Sequence, residues 1–134
     1  MHLEVSTRER EGIALLDLKG RITAGPDVAA FRDAVETASA GPDAKIILNL
    51  QNVDYIDSTG LGAMVMCANR TRNAGGMAKL LNLNRRNVEL LVLTKLDTIF
   101  EVFDDEMDAI NSFFPGREIK RFDILSFVRK MKEE

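Results

Sequence analysis

The chain has 134 residues, a formal net charge of −3 and a single cysteine, which predicts one domain with a buried core and no intramolecular disulfide. The slightly acidic balance does not favour nucleic-acid binding, and the lone cysteine suits a reducing compartment. The N-terminus has no apolar signal core and no apolar run reaches the roughly 20 residues of a membrane span, so we expect a cytoplasmic protein without a membrane partner.

The N-terminal residues predict a β-hairpin followed by a helix. Residues 3–9 alternate in polarity, residues 11–12 carry a turn signal and residues 13–20 form a second apolar run, so two antiparallel strands are expected. Pro26 suits the first turn of a helix, and apolar residues recur at helical spacing through residues 27–39. We therefore expect a hairpin that leads into an amphipathic helix.

The remainder of the chain alternates short apolar runs with amphipathic segments. Predicted strands cover residues 45–50, 77–83 and 98–103, and predicted helices cover residues 61–74, 84–96, 104–114 and 117–131. This order predicts an α/β fold: a mixed, mostly parallel sheet of about five strands with an N-terminal antiparallel hairpin and four to five helices. We assign residues 1–116 to a single domain and residues 117–134 to a C-terminal amphipathic helical extension.

The residues that usually carry enzyme chemistry are nearly absent. The one histidine, His2, lies at the terminus, so neither a Ser–His–Asp triad nor a histidine-based metal cluster is expected. Cys67 lies within an apolar helical segment, where a small buried hydrophobe is the favoured interpretation. A nucleophile elbow would need glycine where Ile56 stands. We therefore predict a protein that is not an enzyme and needs no metal or cofactor.

The stretch VDYIDSTGLGAMV, residues 53–65, marks a predicted strand-to-helix junction. Asp57 or Ser58 could cap the helix, because both side chains satisfy free backbone N–H groups. Gly60 and Gly62 each cost up to about 1 kcal/mol in a helix, which indicates that something approaches the backbone closely. Ligands and partners bind at such junctions on the carboxyl edge of α/β sheets, so this junction is the candidate functional site.

The segment VDYIDSTGLGAM resembles the signature of STAS-domain proteins of the anti-sigma-factor antagonist family. The resemblance extends to GRITAG, KIILNL and GGMAKLLNLN and covers about residues 3–114. It implies a STAS-like fold and a bacterial regulator of transcription that works by partner switching. In that family the phosphorylated hydroxyl directly follows the aspartate, which here is Ser58.

The same resemblance implies the partners. The unphosphorylated form would bind an anti-sigma factor that is also a serine kinase, and this binding would release a sigma factor. Phosphorylation of Ser58 would abolish the binding, and a separate phosphatase would restore the bare hydroxyl. ATP would belong to the kinase, so the resemblance also implies no cofactor for this chain.

The other candidate residues receive partner-binding roles with alternatives. Asp57 would hold the loop through backbone N–H groups or shape kinase recognition, and Thr59 is a second acceptor or a cap. Leu61 and Met64 could form an apolar contact rim or belong to the core. Gly60 and Gly62 would let the active site of the kinase come close to Ser58. Arg21 and Thr23 are assigned to the loop after the second strand, where they would flank the site or belong to a solvated loop.

Other functions stay open beside the regulator. The fold could serve as a STAS scaffold or accessory subunit, as in lipid-trafficking ABC systems or stress-sensing assemblies, and a hydrolase using Ser58 ranks third. The C-terminal helix has an apolar face that could pack on the sheet, form a homodimer, fill a partner groove or lie on a membrane surface. That face comprises Ile119, Phe122, Leu125, Phe127 and Val128.

Overall fold

The structure, a computed structural model, describes residues 2–120 and 123–133. The strands in these residues are β1 (Glu4–Arg10), β2 (Ile13–Ile22), β3 (Lys45–Ile56), β4 (Met77–Leu81) and β5 (Val102–Phe103). They form one sheet in this order, in which β1 and β2 are antiparallel and the other neighbouring pairs are parallel. The prediction of a mixed, mostly parallel sheet with an N-terminal hairpin is confirmed.

Helices cover both faces of this sheet. In the described residues they are α1 (Pro26–Ala38), α2 (Ser58–Asn73), α3 (Arg85–Leu93), α4 (Glu106–Asn111) and α5 (Ile124–Glu133). Leu96–Thr98 form a short 3-10 turn after α3. Since parallel neighbours need a crossover connection, α1, α2 and the α3 segment each return the chain to the start of the next strand.

Two hydrophobic clusters lie on opposite faces of the sheet. The larger one lies under α1, α2 and α3 and contains Phe31 and Met64, both fully buried. The smaller one lies under α4 and contains Ile110. Ile46 and Ile47, consecutive on β3, belong to different clusters and are both fully buried. A strand covered on both faces explains why this segment is apolar at almost every position.

Several element boundaries differ from the predicted ones. β3 continues to Ile56 instead of ending at residue 50, because buried positions recur beyond the irregular register with β2. α2 begins at Ser58 instead of residue 61, and α3 ends at Leu93 instead of residue 96. β5 has only two residues, since the chain forms the 3-10 turn where a longer strand was expected.

The last helix is shorter than predicted. Residues 117–120 lie outside any helix, and Phe122 lies outside the described residues. α5 begins at Ile124, where the Asp123 carboxylate accepts two backbone N–H groups of the first turn at 3.1 Å. Its main contacts are with α3 rather than with the sheet. Ile119, which precedes the helix, packs against the smaller hydrophobic cluster.

A buried lysine joins the sheet to α4. Lys79 lies on β4 and is only 3% exposed, in a segment predicted as a plain apolar strand. Its ammonium group donates to the carbonyl oxygen and the Oγ of Ser112 at 3.2 and 2.9 Å, just after α4. The same ammonium lies 4.4 Å from the ring centroid of Phe113 and 3.4 Å from the Glu101 carboxylate. The lysine therefore satisfies the end of α4 and anchors it to the second face of the sheet.

Candidate functional site

Asp57 is the N-cap of α2 and also binds the loop after β2. Its Oδ1 accepts the backbone N–H of Gly60 at 2.7 Å, and its Oδ2 accepts the backbone N–H of Ala24 at 2.9 Å. The N–H groups of Ala24 and Gly60 lower the pKa of the Asp57 carboxyl, because they stabilise its charged form. One carboxylate therefore clamps two loops together at the carboxyl edge of the sheet.

Ser58 is the first residue of α2 and its side chain is exposed. The structure gives its hydroxyl no hydrogen-bond partner within the described residues, and the exposed Thr59 follows it. The first turn of α2 contains no acidic residue after the cap. If this accessible hydroxyl were phosphorylated, the new negative charge would lie at a helix N-terminus, where the helix dipole favours an anion.

The two glycines of the junction differ in their surroundings. Gly60 is buried, and a Cβ built on it would lie 2.1 Å from the carbonyl oxygen of Ile22. The close approach inferred from the sequence is therefore internal at Gly60, and a role of this glycine in the approach of a kinase stays a prediction. A Cβ on Gly62 would meet no atom within 4 Å, and this glycine faces solvent.

The residues at the end of β2 were assigned to a loop, and this is wrong for one of them. Arg21 lies within β2, opposite Tyr55 of β3, and is exposed. Thr23 does follow the strand, and its Oγ1 donates to Oδ2 of Asp27 at 2.9 Å. The other oxygen of Asp27 accepts the backbone N–H of Leu3 at 2.9 Å, and these bonds lower the pKa of Asp27. Thr23 thus fixes the loop rather than standing free.

A cleft of about 400 Å³ lies beside Ser58, between the N-terminus of α2 and α3. Sequence reasoning missed this cleft, although it placed Leu61 at the site. Leu61 is half-buried and lines the cleft, whereas Met64 is fully buried in the core. The other apolar lining includes Leu90 and Leu93 of α3, and Leu93 is 81% exposed. The available signal was Leu93, the fourth apolar residue in the run LLVL, because four consecutive apolar residues are more than the inward face of α3 needs.

Polar groups of α3 complete the cleft. Asn87 is 1% exposed, and its Nδ2 donates to the carbonyl oxygen of Val53 at 3.0 Å, while its Oδ1 is buried without a hydrogen-bond partner in the described part of the chain. Arg86 is exposed and forms no ion pair with any described residue. Glu89 also lines the cleft and lies 4.0 Å from Arg85.

Other reactive groups lie away from this junction. Cys67 is buried in α2, and burial raises the pKa of its thiol to about 11, so the prediction of a small buried hydrophobe is confirmed. In the described residues no group of three or more histidine, cysteine or acidic side chains could hold a metal ion. Across residues 2–120 and 123–133, none of the helices combines the length and the apolar character that a membrane crossing requires.

Known proteins share this architecture. A family model described as STAS domain matches residues 4–109. The chain is 30% identical over 102 residues to the anti-sigma-B factor antagonist of Bacillus subtilis (strain 168), which covers 76% of this chain and 92% of that protein.

Two solved structures of one protein are also similar. The anti-sigma factor antagonist SpoIIAA in its unphosphorylated form has a TM-score of 0.70 at 19% identity, covering 86% of this chain and 100% of its own. The phosphorylated form of this Bacillus cell fate determinant has a TM-score of 0.62 at 19% identity, covering 82% and 99%. At this identity the likeness concerns the fold. The family match and the relative from Bacillus subtilis lead to one conclusion: the chain belongs to the STAS domain family.

Proposed function

We propose that this chain is an anti-sigma-factor antagonist whose docking to an anti-sigma kinase is switched off by phosphorylation of Ser58. The observation that carries the proposal is the exposed Ser58 hydroxyl at the start of α2, which has no hydrogen-bond partner among the described residues and lies on the edge of an apolar cleft. The name of the relative from Bacillus subtilis and the phosphorylated form of SpoIIAA support the proposal. In this role the chain is a regulatory binding protein and not an enzyme.

The phosphorylation step uses ATP bound to the kinase. The Ser58 Oγ attacks the γ-phosphorus, the new Oγ–P bond forms, the bond to ADP breaks and the serine proton passes to a base of the kinase. The product carries about 1.5 to 2 negative charges at one point. A helix N-terminus favours an anion by about 0.3–1 kcal/mol, so the fold of the phosphorylated chain is expected to persist.

The same charge is unfavourable in a protein interface. A phosphate on Ser58 would have to be desolvated beside the Asp57 carboxylate and against the apolar lining of the cleft. A penalty of about 3 kcal/mol weakens binding more than a hundredfold. The complex then dissociates, and a phosphatase that transfers the phosphoryl group to water restores the hydroxyl.

The proposed contact surface follows from exposure. Thr59, Gly62 and Arg21 are exposed and Leu61 lines the cleft, so these residues would contact the kinase around Ser58. Asp57, Gly60 and Thr23 would position the site rather than contact the kinase. The side chains of Asp57 and Thr23 are hydrogen-bonded within the chain, and Gly60 packs against the backbone of Ile22.

Substitutions at Ser58 test the proposal. With an anti-sigma kinase from the source bacterium and ATP, the wild-type chain should gain one phosphate and Ser58→Ala none, while Ser58→Ala should still bind. Ser58→Asp should bind at least about a hundredfold more weakly, because it places a charge in the interface. Calorimetric titration and intact-protein mass spectrometry measure these outcomes.

The neighbouring hydroxyl provides the matched control. Thr59→Asp adds the same charge one residue further along α2 and should weaken binding less than Ser58→Asp, while Thr59→Ala should leave phosphorylation intact. If Ser58→Asp binds as tightly as wild type, the switch is contradicted and a docking scaffold indifferent to this charge is favoured.

A further inference from the structure

We propose that Arg86 captures the phosphoserine formed at position 58 and holds it in the cleft between α2 and α3. The captured phosphate would cover the apolar lining that the kinase needs, so the phosphorylated chain would close its own docking surface. This inference rests on the proposed function, because it assumes that Ser58 carries a phosphate.

One cation that lines the cleft has no partner among the residues that the structure describes. Three of the side chains that line the cleft are charged at neutral pH: Asp57, Arg86 and Glu89. Both Asp57 oxygens accept backbone N–H groups, and the Glu89 carboxylate lies 4.0 Å from Arg85, which is outside the lining. Arg86 alone of the three has no hydrogen bond or ion pair in the part of the chain that the structure describes. An anion that enters the cleft therefore meets an unpaired guanidinium.

The position of Arg86 on α3 adds to this preference. Arg86 lies in the first turn of α3, and that turn contains no acidic residue. A cation at a helix N-terminus is opposed by the helix dipole, whereas an anion there is favoured. A phosphate near Arg86 would relieve this repulsion, and a bidentate guanidinium–phosphate pair has the geometry to hold it.

Asn87 supplies a second, independent indication of a polar occupant. Asn87 belongs to the cleft lining, and its Oδ1 is buried without a donor among the described residues, which is unfavourable by about 1–3 kcal/mol for a typical buried acceptor. A guanidinium has five N–H donors. When Arg86 is drawn over the cleft by the phosphate, it has enough donors for both the phosphate and the Asn87 oxygen.

The test places phosphoserine at position 58 during synthesis by codon expansion, so no kinase is involved. A phosphorus NMR titration then measures the second ionisation of the phosphate, which lies near pH 6 when unperturbed. Because a nearby cation favours the dianion, Arg86→Gln should raise this pKa by about 0.5–1 unit relative to the wild-type phosphoprotein. Arg86→Lys, which keeps the charge, should restore most of the difference.

Arg85→Gln is the matched control, because it removes the same charge from the adjacent position outside the cleft lining. The inference predicts a clearly smaller rise for Arg85→Gln than for Arg86→Gln. Equal rises in the two variants would mean a general charge effect, and no rise in either would mean no capture; both outcomes overturn the inference. Since the phosphate is installed without a kinase, a positive titration together with unaltered binding of Ser58→Asp would contradict the proposed function alone.

Discussion

Gly60 and Gly62 lie two positions apart in α2, yet only Gly60 lies against another part of the chain. The methyl group of Gly60→Ala would overlap the carbonyl oxygen of Ile22, so we expect the free energy of unfolding to fall by about 1–3 kcal/mol. Gly62→Ala has open space and should raise the free energy of unfolding by up to about 1 kcal/mol, because alanine favours a helix. Urea unfolding of both variants measures the difference.

Equal effects of the two substitutions would contradict the packing role of Gly60. The sequence could indicate that the two glycines serve some purpose other than helix formation, since glycine disfavours a helix. It could not show that the reasons differ, because the contact with Ile22 joins residues far apart in the chain. The cap was different: an aspartate before a helix is a local signal, and Asp57 was predicted as one of two candidates for that position.

At the scale of elements, two carboxylates join the N-termini of α1 and α2 to neighbouring segments. Their pKa values are lowered because Asp57 accepts two backbone N–H groups, whereas Asp27 accepts the backbone N–H of Leu3 and the hydroxyl of Thr23. A carboxylate with a lowered pKa stabilises the folded state above its unfolded pKa, about 4, and this contribution is lost as the pH falls below that value. The urea midpoint should therefore decrease steeply when the pH is lowered from about 5 to about 3.

Asp57→Asn measures the share of one carboxylate in this dependence. The amide oxygen accepts hydrogen bonds without a charge, so the variant should be less stable at neutral pH and should lose less stability on acidification. Asp54→Asn removes the same charge from an exposed position on β3 and should resemble wild type in both respects. An Asp57→Asn profile parallel to that of wild type would contradict the assignment.

The cleft between α2 and α3 was the least predictable part of the candidate site. Helical spacing indicated that Val88, Leu91 and Val92 face inward; Val88 and Leu91 are buried, whereas Val92 is only half-buried. The spacing could not indicate which element lies beside the exposed part of α3, because that depends on how two helices pack on the sheet. Arg86, Asn87 and Leu93 were therefore not recognised as neighbours of the serine.

At the scale of the whole molecule, Lys79 links the sheet to the layer on its second face. Lys79→Ala should lower the free energy of unfolding by about 1–3 kcal/mol, because it removes bonds from a charged donor to Ser112. Lys45, whose ammonium lies 5.1 Å from the ring centroid of Phe114, is a half-buried control. Lys45→Ala should lower the free energy of unfolding by less than about 1 kcal/mol. Thermal unfolding measures both effects, and a smaller loss of stability for Lys79→Ala than for Lys45→Ala would contradict the anchoring role of Lys79.

The order of the elements and the mixed sheet could be predicted from the sequence, because the spacing of apolar residues reflects which face of each segment is buried. Their ends were less accurate, since the length of β3 depends on the neighbouring β2, and α5 begins where Asp123 caps it. The assignment of residues 117–134 as a separate extension and a homodimer through its helix remain predictions. Among the apolar residues of α5 whose side chains the structure describes, Leu125, at 60% exposed, is the most available for such a contact.

The two hydrogen bonds that the Asp57 carboxylate accepts from Ala24 and Gly60 have a consequence for the rate of partner binding. A surface that is already ordered before a partner arrives loses little freedom on association, so encounter by diffusion governs how quickly complexes form. Under the proposed function, no slow rearrangement of this chain delays the response. The opposing rates of the modifying enzymes would then set how long transcription stays switched on after a stimulus.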